Sequence, residues 1–408
     1  MSISRKISES IHDTCNVWWD EMKNVFKDEG VLIFFILVPL LYPLLYSWIY
    51  NNEVVEDVPV AIVDMSHSKS SREFIQKLNA TADVKTAYYC NNLPEAQALV
   101  GKQVVHGVIY FPADFDRKIY RGEQATVGVY CDMSLMLTYK AIYAATQAVA
   151  MDIGHDIQLM KNNNVTQRDE EISGKPLDFD EVPIFNATGG YGNAILPGVL
   201  MLILQQTLLL GIGLSAGTAR ERNEYQSLVP ISRHVNGMFR IVVGKSLCYF
   251  MIYAVMATYV TLCVPHLFSF TSMVHASDLF ALLLPYLLAC IFFGMMLSCI
   301  VRYRENIMLL VVFTSIPLLF LTGISWPQSN IPSYWQGVAW LFPSTFGVRG
   351  FLRINSMGAT LQDIRTEYIA LWIQAVVYFF MACLTYRYQI IRTRKQVHEH
   401  HLRERAKC

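Results

Sequence analysis

Residues 306–348 read NIMLLVVFTSIPLLFLTGISWPQSNIPSYWQGVAWLFPSTFGV, forty-three residues without one Asp, Glu, Lys or Arg. About 20 apolar residues cross the hydrocarbon core of a bilayer, so the run is long enough for two spans. Its first half is uniformly aliphatic, whereas its second half is dense in Pro, Gly, Trp and Ser and suits a re-entrant or interfacial hairpin. Basic residues decide between the two readings, because short cytosolic loops collect Lys and Arg. With six spans, the N-terminus, the 220–245 loop, Arg302-Tyr303-Arg304 and the C-terminal tail share one side and hold 18 of the 33 basic residues. A seventh span would put the tail, with Arg387, Arg392, Arg394, Lys395, Arg403, Arg405 and Lys407, on the other side. Six spans with both ends cytosolic is the better reading.

The composition agrees. Hydrophobic residues make up 53% of the 408 and charged residues 16%, against about 25% charged in soluble proteins. Mean hydropathy is +0.31. The 33 basic and 33 acidic residues cancel, which argues against a nucleic-acid partner, since phosphate neutralisation needs a basic surplus. Spans are expected at 31–50, 194–218, 241–266, 279–301, 306–325 and 368–386, with the hairpin at 326–350 and a basic cytosolic tail at 387–408. The first span is too long, and too far from the start, for a cleaved signal peptide. Ahead of it, Ile7, Ile11, Trp18, Met22, Val25 and Phe26 recur at helical spacing opposite Glu9, Asp13, Asp20, Lys23 and Lys27. This predicts an amphipathic helix over 1–30 lying on the inner membrane surface; a soluble cap is the alternative.

Residues 51–190 have ordinary soluble composition. Strands are expected at Val58–Asp64 (VPVAIVD), Val84–Cys90, Val104–Phe111 and Thr126–Cys131, alternating with helices. One of these helices opens on a Ser70–Glu73 capping box and another covers Leu135–Met160. The fold class is therefore a polytopic α-helical membrane protein of six transmembrane helices, with an inserted α/β extracytoplasmic domain between helices 1 and 2. Residues 161–185 are read as the linker back to the membrane. Cys90 and Cys131 each end a predicted strand. Parallel strands would bring them together, so a disulfide and two free thiols both stay open, with free thiols favoured.

Catalytic and metal motifs fail on inspection. Gly244-Lys245-Ser246 imitates the end of a phosphate loop, but Phe239 stands where that loop needs glycine. His398-Glu399-His400-His401 has Leu402 where a zinc-protease helix needs its second histidine. No Gly-x-Ser-x-Gly or Cys-x-x-Cys spacing occurs. No cofactor and no catalytic residue is expected.

LTGISWP (321–327), IPSYWQ (331–336), LFPST (341–345) and the Arg349-Gly350 pair resemble the C-terminal signature of ABC-2 type permeases, the membrane subunits of bacterial ABC exporters. VPVAIVD, Phe111-Pro112-Ala113-Asp114-Phe115 and Tyr130-Cys131-Asp132 resemble the exposed domain of the subfamily with a long insertion after span one. The resemblance implies a bacterial inner-membrane protein that works with a separate ABC ATPase subunit. It implies a homodimer, or a heterodimer with a similar permease, with the transport path between the two, and it admits a periplasmic adaptor and an outer-membrane channel. It also implies that the 219–240 segment is the cytosolic coupling element, with Arg220, Glu221, Arg222, Glu224, Leu228 and Pro230 as its residues. The family's Gly-Thr is missing there. Gly323, Trp326, Pro327, Pro332, Pro343 and Arg349 would shape the outer hairpin. Few ionisable groups lie in the spans, where they would mark ion relays, so export of a hydrophobic or amphiphilic compound (drug-like or lipid) is favoured. The alternative is a membrane receptor that senses a ligand through its exposed domain.

Overall fold

The computed structural model describes residues 3–51, 55–161, 184–186, 190–222, 225, 228–232, 237–301 and 303–405. The chain divides into two compact units, Met1–Glu53 with Ile184–Cys408, and Val54–Pro183. The expected 161–185 linker falls almost wholly outside the described residues.

The first unit opens with α1 (Ile3–Lys27) and α2 (Glu29–Ile49). In the second unit β1 (Val58–Asp64), α3 (Lys69–Asn79), β2 (Val84–Tyr89), α4 (Leu93–Gly101), β3 (Gly107–Phe111), α5 (Phe115–Arg121), β4 (Gly128–Cys131) and α6 (Met136–Lys161) follow in turn. The four strands form one sheet in the order β2-β1-β3-β4, with β1 parallel to both neighbours and β4 antiparallel at the edge. VPVAIVD lacks polar alternation because both faces of β1 are covered. Val58, Val60 and Ile62 pack beneath α3 and α6, while Ala61 and Val63 pack with Ala96 of α4. α3 starts two residues earlier than expected. Ser68 and Ser71 form the reciprocal capping box, and Ser71 Oγ also donates to Asp64 Oδ2 at 2.7 Å, tying the helix start to the end of β1.

The pairing of β4 settles the cysteines. Cys131 pairs with Gly107 on β3, whereas Cys90 donates its N–H to Ile62 on β1 from the opposite edge. Three strand spacings, about 14 Å, separate the two, well beyond the reach of a disulfide. Both are free thiols, and the bridge left open above is not formed. β2 and β4 lie on opposite edges of the sheet, so their ends are not neighbours.

The first unit continues with α7 (Tyr191–Glu221), α8 (Gly237–Leu267), α9 (Ala276–Ile300), α10 (Arg304–Leu321), α11 (Ser333–Ala339), α12 (Pro343–Met357) and α13 (Arg365–Arg405). Among the described residues six helices are long and apolar enough to cross a membrane: α2, α7, α8, α9, α10 and the Arg365–Arg392 part of α13. Two of them run off the α-helical register just ahead of a proline. The π-turns Ile33–Leu37 and Tyr259–Cys263 precede Pro39 and Pro265. A proline offers no N–H to the carbonyl four residues earlier, so the chain widens locally instead. The first π-turn carries Phe35, whose ring sits edge-on to Tyr249 and Tyr253 of α8, with centroids 5.6 and 5.4 Å away.

The apolar windows of α7 and α9 are 78% buried within the chain, those of α2 and α10 only 28% and 17%. α7 is therefore the central helix, apolar nearly all round as such a position demands. No helix within 326–350 is long and apolar enough to cross a membrane, and the last one, α12, runs on to Met357 and is buried. Pro343, Gly347, Val348, Phe351 and Ile354 of α12 pack among α7, α9 and α13.

The thiols of the small sheet give a direct check. Burial pushes Cys131 up to about 11 and, with Glu95 nearby, raises Cys90 as well. Since the thiolate is the reacting form, Cys131 in the folded protein should alkylate at pH 8 roughly a hundred-fold more slowly than an unperturbed thiol. Labelling in denaturant without reductant should modify both cysteines. A Cys90–Cys131 linked peptide in the mass spectrum would refute this sheet order.

Candidate functional site: the charged end of the bundle

The residues carrying charge into the bundle converge where α1 meets the ends of the spans. α1 turns one stripe, Val17, Glu21, Val25, with Asp28 just beyond, into the protein. This stripe is not the one expected from the apolar spacing. Ile11 and Phe26 are exposed, and Asp13, placed on the polar face, instead pairs with Arg240 of α8 at 2.7 Å. The stripe seats closely because α8 offers Gly244 opposite it. A Cβ there would stand 2.8 Å from the Thr14 carbonyl oxygen. Gly244 and Lys245 of the false phosphate motif thus serve packing and pairing.

Glu21 is fully enclosed. Its carboxylate accepts from Lys245 Nζ and Tyr249 Oη of α8 and from Ser215 Oγ of α7, the last at 3.1 Å. Burial alone would raise the carboxyl, but Lys245 with the Tyr249 and Ser215 hydroxyls outweighs it, and Glu21 is held below its ordinary range. Asp28 makes the next junction. It caps the start of α2 through the N–H groups of Gly30 and Val31 at 3.0 and 3.3 Å. Its second oxygen accepts from Thr218 Oγ1 of α7 at 2.6 Å, and Arg304 of α10 lies 3.2 Å from the first. Burial pushes this carboxyl up as well; Thr218, the capped N–H groups and Arg304 bring it down further than burial raises it.

The third junction involves a residue expected to couple to the ATPase. Arg220 donates to the carbonyl oxygens of Ser298 and Val301 at 2.6 and 2.8 Å. Those are orphan carbonyls at the C-terminal end of α9, where a cation is favoured by the helix dipole. Arg220 is therefore turned into the bundle. Glu221 and Arg222 are exposed at the end of α7, Leu228 is half-buried, and Pro230 lies in the single helical turn Val229–Ser232. Glu224 falls outside the described residues, as does Arg302 of the charge argument. Sequence reasoning missed Glu21 and Asp28. The available signal was a carboxylate at i+4 between Val17 and Val25, on a face otherwise apolar.

At the other end of α7 the hairpin is built as follows. Gly323 adopts φ +92°, a left-handed conformation that only glycine takes readily, and turns the chain after α10. Pro327 precedes a short 3-10 turn, Pro332 precedes α11, and Pro343 is the first residue of α12, where a missing N–H costs nothing. The buried N–H of Ser344 donates to Gln205 Oε1 of α7 at 2.6 Å. Gln374 of α13 donates to the Trp340 carbonyl at 2.7 Å, and Tyr378 donates to that of Leu341. Trp326, Trp335 and Trp340 remain exposed. Arg349 lies in α12; its Nε and Nη2 are buried and find no hydrogen-bond partner among the described residues.

A double-mutant cycle tests the buried pair. Lys245→Met should destabilise the protein by about 3–5 kcal/mol, because it leaves Glu21 charged and unpaired, whereas adding Glu21→Gln should recover most of the loss. Thermal melts in detergent report both. Additive losses would mean that the two groups do not interact.

The chain is similar to the probable multidrug ABC transporter permease YbhR of Escherichia coli strain K12, 20% identical over 329 residues that cover 79% of this chain and 84% of the relative. The same-named protein of Escherichia coli O157:H7 matches to the same extent. The family model described as ABC-2 family transporter protein matches residues 30–384, from the start of the first span to within the last. The chain belongs to the ABC-2 family of transporter membrane proteins.

Proposed function

We propose that this membrane subunit of an ABC transporter is an exporter that moves a hydrophobic or amphiphilic compound, drug-like or lipid, out of the cytoplasm or the inner leaflet. The observation that carries the reading is the pairing of ABC-2 family membership with spans that hold almost no ionisable group away from the α1 end. The multidrug designation of YbhR supports the substrate class. In this reading the protein sits in a bacterial inner membrane with both termini cytosolic, and its small-sheet unit is extracytoplasmic. Two such subunits, identical or similar, enclose the path. A separate ATPase docks on the 220–231 segment through Arg222, Glu224 and the apolar residues that follow. Arg220 holds α9 and does not take part in docking. The 326–357 hairpin caps the path on the outer side, with its exposed tryptophans at the interface, where indole rings are favoured.

Two experiments test this. The purified chain alone should hydrolyse no ATP, and a complex with its cognate ATPase should. Alanine at both Arg222 and Glu224 should weaken assembly or permease-dependent hydrolysis roughly ten-fold while membrane insertion is kept. Unchanged coupling in that variant would move the docking site off this segment.

Sidedness is tested by cysteines at Ser329 and Val397. An impermeant thiol reagent added outside intact cells should label Ser329→Cys, and should label Val397→Cys only after the membrane is opened. Outside labelling of the tail position would require a seventh span.

A further inference from the structure

Glu21 presents a buried charge that the transport path does not need. Taking a carboxylate and an ammonium out of water costs more than apolar packing of the same volume, so the arrangement calls for a use. Its partners come from two different spans. Ser215 belongs to α7, and Lys245 and Tyr249 belong to α8. Around it, Asp13 pairs with Arg240, and Met22 Sδ lies 3.8 Å from Cys248 Sγ. On α7, Ser215 meets Glu21 and Thr218 meets Asp28, both within its last two turns and directly ahead of the 220–231 segment. Apolar packing is non-directional, so Val17 and Val25 alone would let α1 slide or roll. Three convergent donors on one carboxylate fix both its rotation and its register.

We propose that Glu21 is a positioning residue in coupling: it locks α1, the end of α7 and α8 into one body, so that a displacement of the 220–231 segment carries the N-terminal helix and the third span with it. This rests on the reading of the chain as an ATP-driven permease. Packed interfaces respond by switching between discrete arrangements, not by bending, and the clasp decides which helices switch together. In the absence of the clasp, the movement of α7 dissipates as slippage against α1.

The test uses the full chain assembled with its cognate ATPase in proteoliposomes, reading ATP hydrolysis per assembled complex alongside thermal melting. The Glu21→Gln/Lys245→Met protein melts near the unmodified protein, yet its permease-dependent hydrolysis falls roughly ten-fold. Adding Met22→Cys and oxidising it onto Cys248, with the bridge confirmed by mass spectrometry, restores hydrolysis in that variant. The same bridge in the protein that keeps Glu21 and Lys245 leaves hydrolysis unchanged. A purely structural role would not separate melting from hydrolysis or permit rescue by a bridge. Full hydrolysis in the double variant overturns the clasp. So does failure of the bridge to rescue, which would assign the effect to the charge itself. Inactivation by the bridge when Glu21 is present also overturns it, because α1 would then have to slide on α8. An unmodified complex that neither assembles nor hydrolyses ATP overturns the permease reading, and the clasp with it.

Discussion

α7 is enclosed by protein along most of its length. In that setting each donor or acceptor it carries has to be met by a neighbouring helix. Several of these groups are met in this way. The Met201 carbonyl accepts from Tyr286 of α9 at 2.6 Å, and Gln205 accepts from the start of α12. Ser215, Thr218 and Arg220 engage α1, the cap of α2 and the end of α9 in turn. Four elements, α1, α2, α9 and α12, are tied to this one helix by hydrogen bonds as well as by apolar packing.

The same rule explains how a non-spanning hairpin is tolerated inside a bundle. The start of a helix leaves N–H groups without partners, a severe cost away from water. The start of α12 meets that cost twice, with Pro343 carrying no N–H and with Gln205 supplying an acceptor to Ser344. The carbonyls of Trp340 and Leu341, where the chain turns, are taken by Gln374 and Tyr378 of α13. Gln205 and Gln374, which stand out in otherwise apolar spans, therefore hold irregular backbone.

Charge is handled differently. The buried carboxylates and their cations lie at the α1 end, where each is matched by an opposite charge and by hydroxyl donors, and the apolar middles of the spans carry almost none. The apparent nucleotide motif at Gly244-Lys245-Ser246 dissolves into two separate needs of packing and pairing, both set by α1. That motif belongs to helix association and has no bearing on phosphate.

Six candidate spans, the strand VPVAIVD and the family were legible in the sequence. Hydropathy, charge asymmetry and the spacing of Gly and Pro are properties of the chain read in one dimension, and the membrane and the peptide backbone act on them locally. Tertiary structure alone decided the rest. The face of α1 that turns inward follows from Glu21 meeting Lys245, a partner 224 residues away. That Arg220 turns toward the carbonyls at the end of α9 is set by the packing of the two helices. That Cys90 and Cys131 stay apart follows from β2 and β4 taking opposite edges of the sheet. In each case the deciding term is a polar group seeking a partner from a distant segment, and its energy depends on a geometry that exists only after the helices and strands have packed.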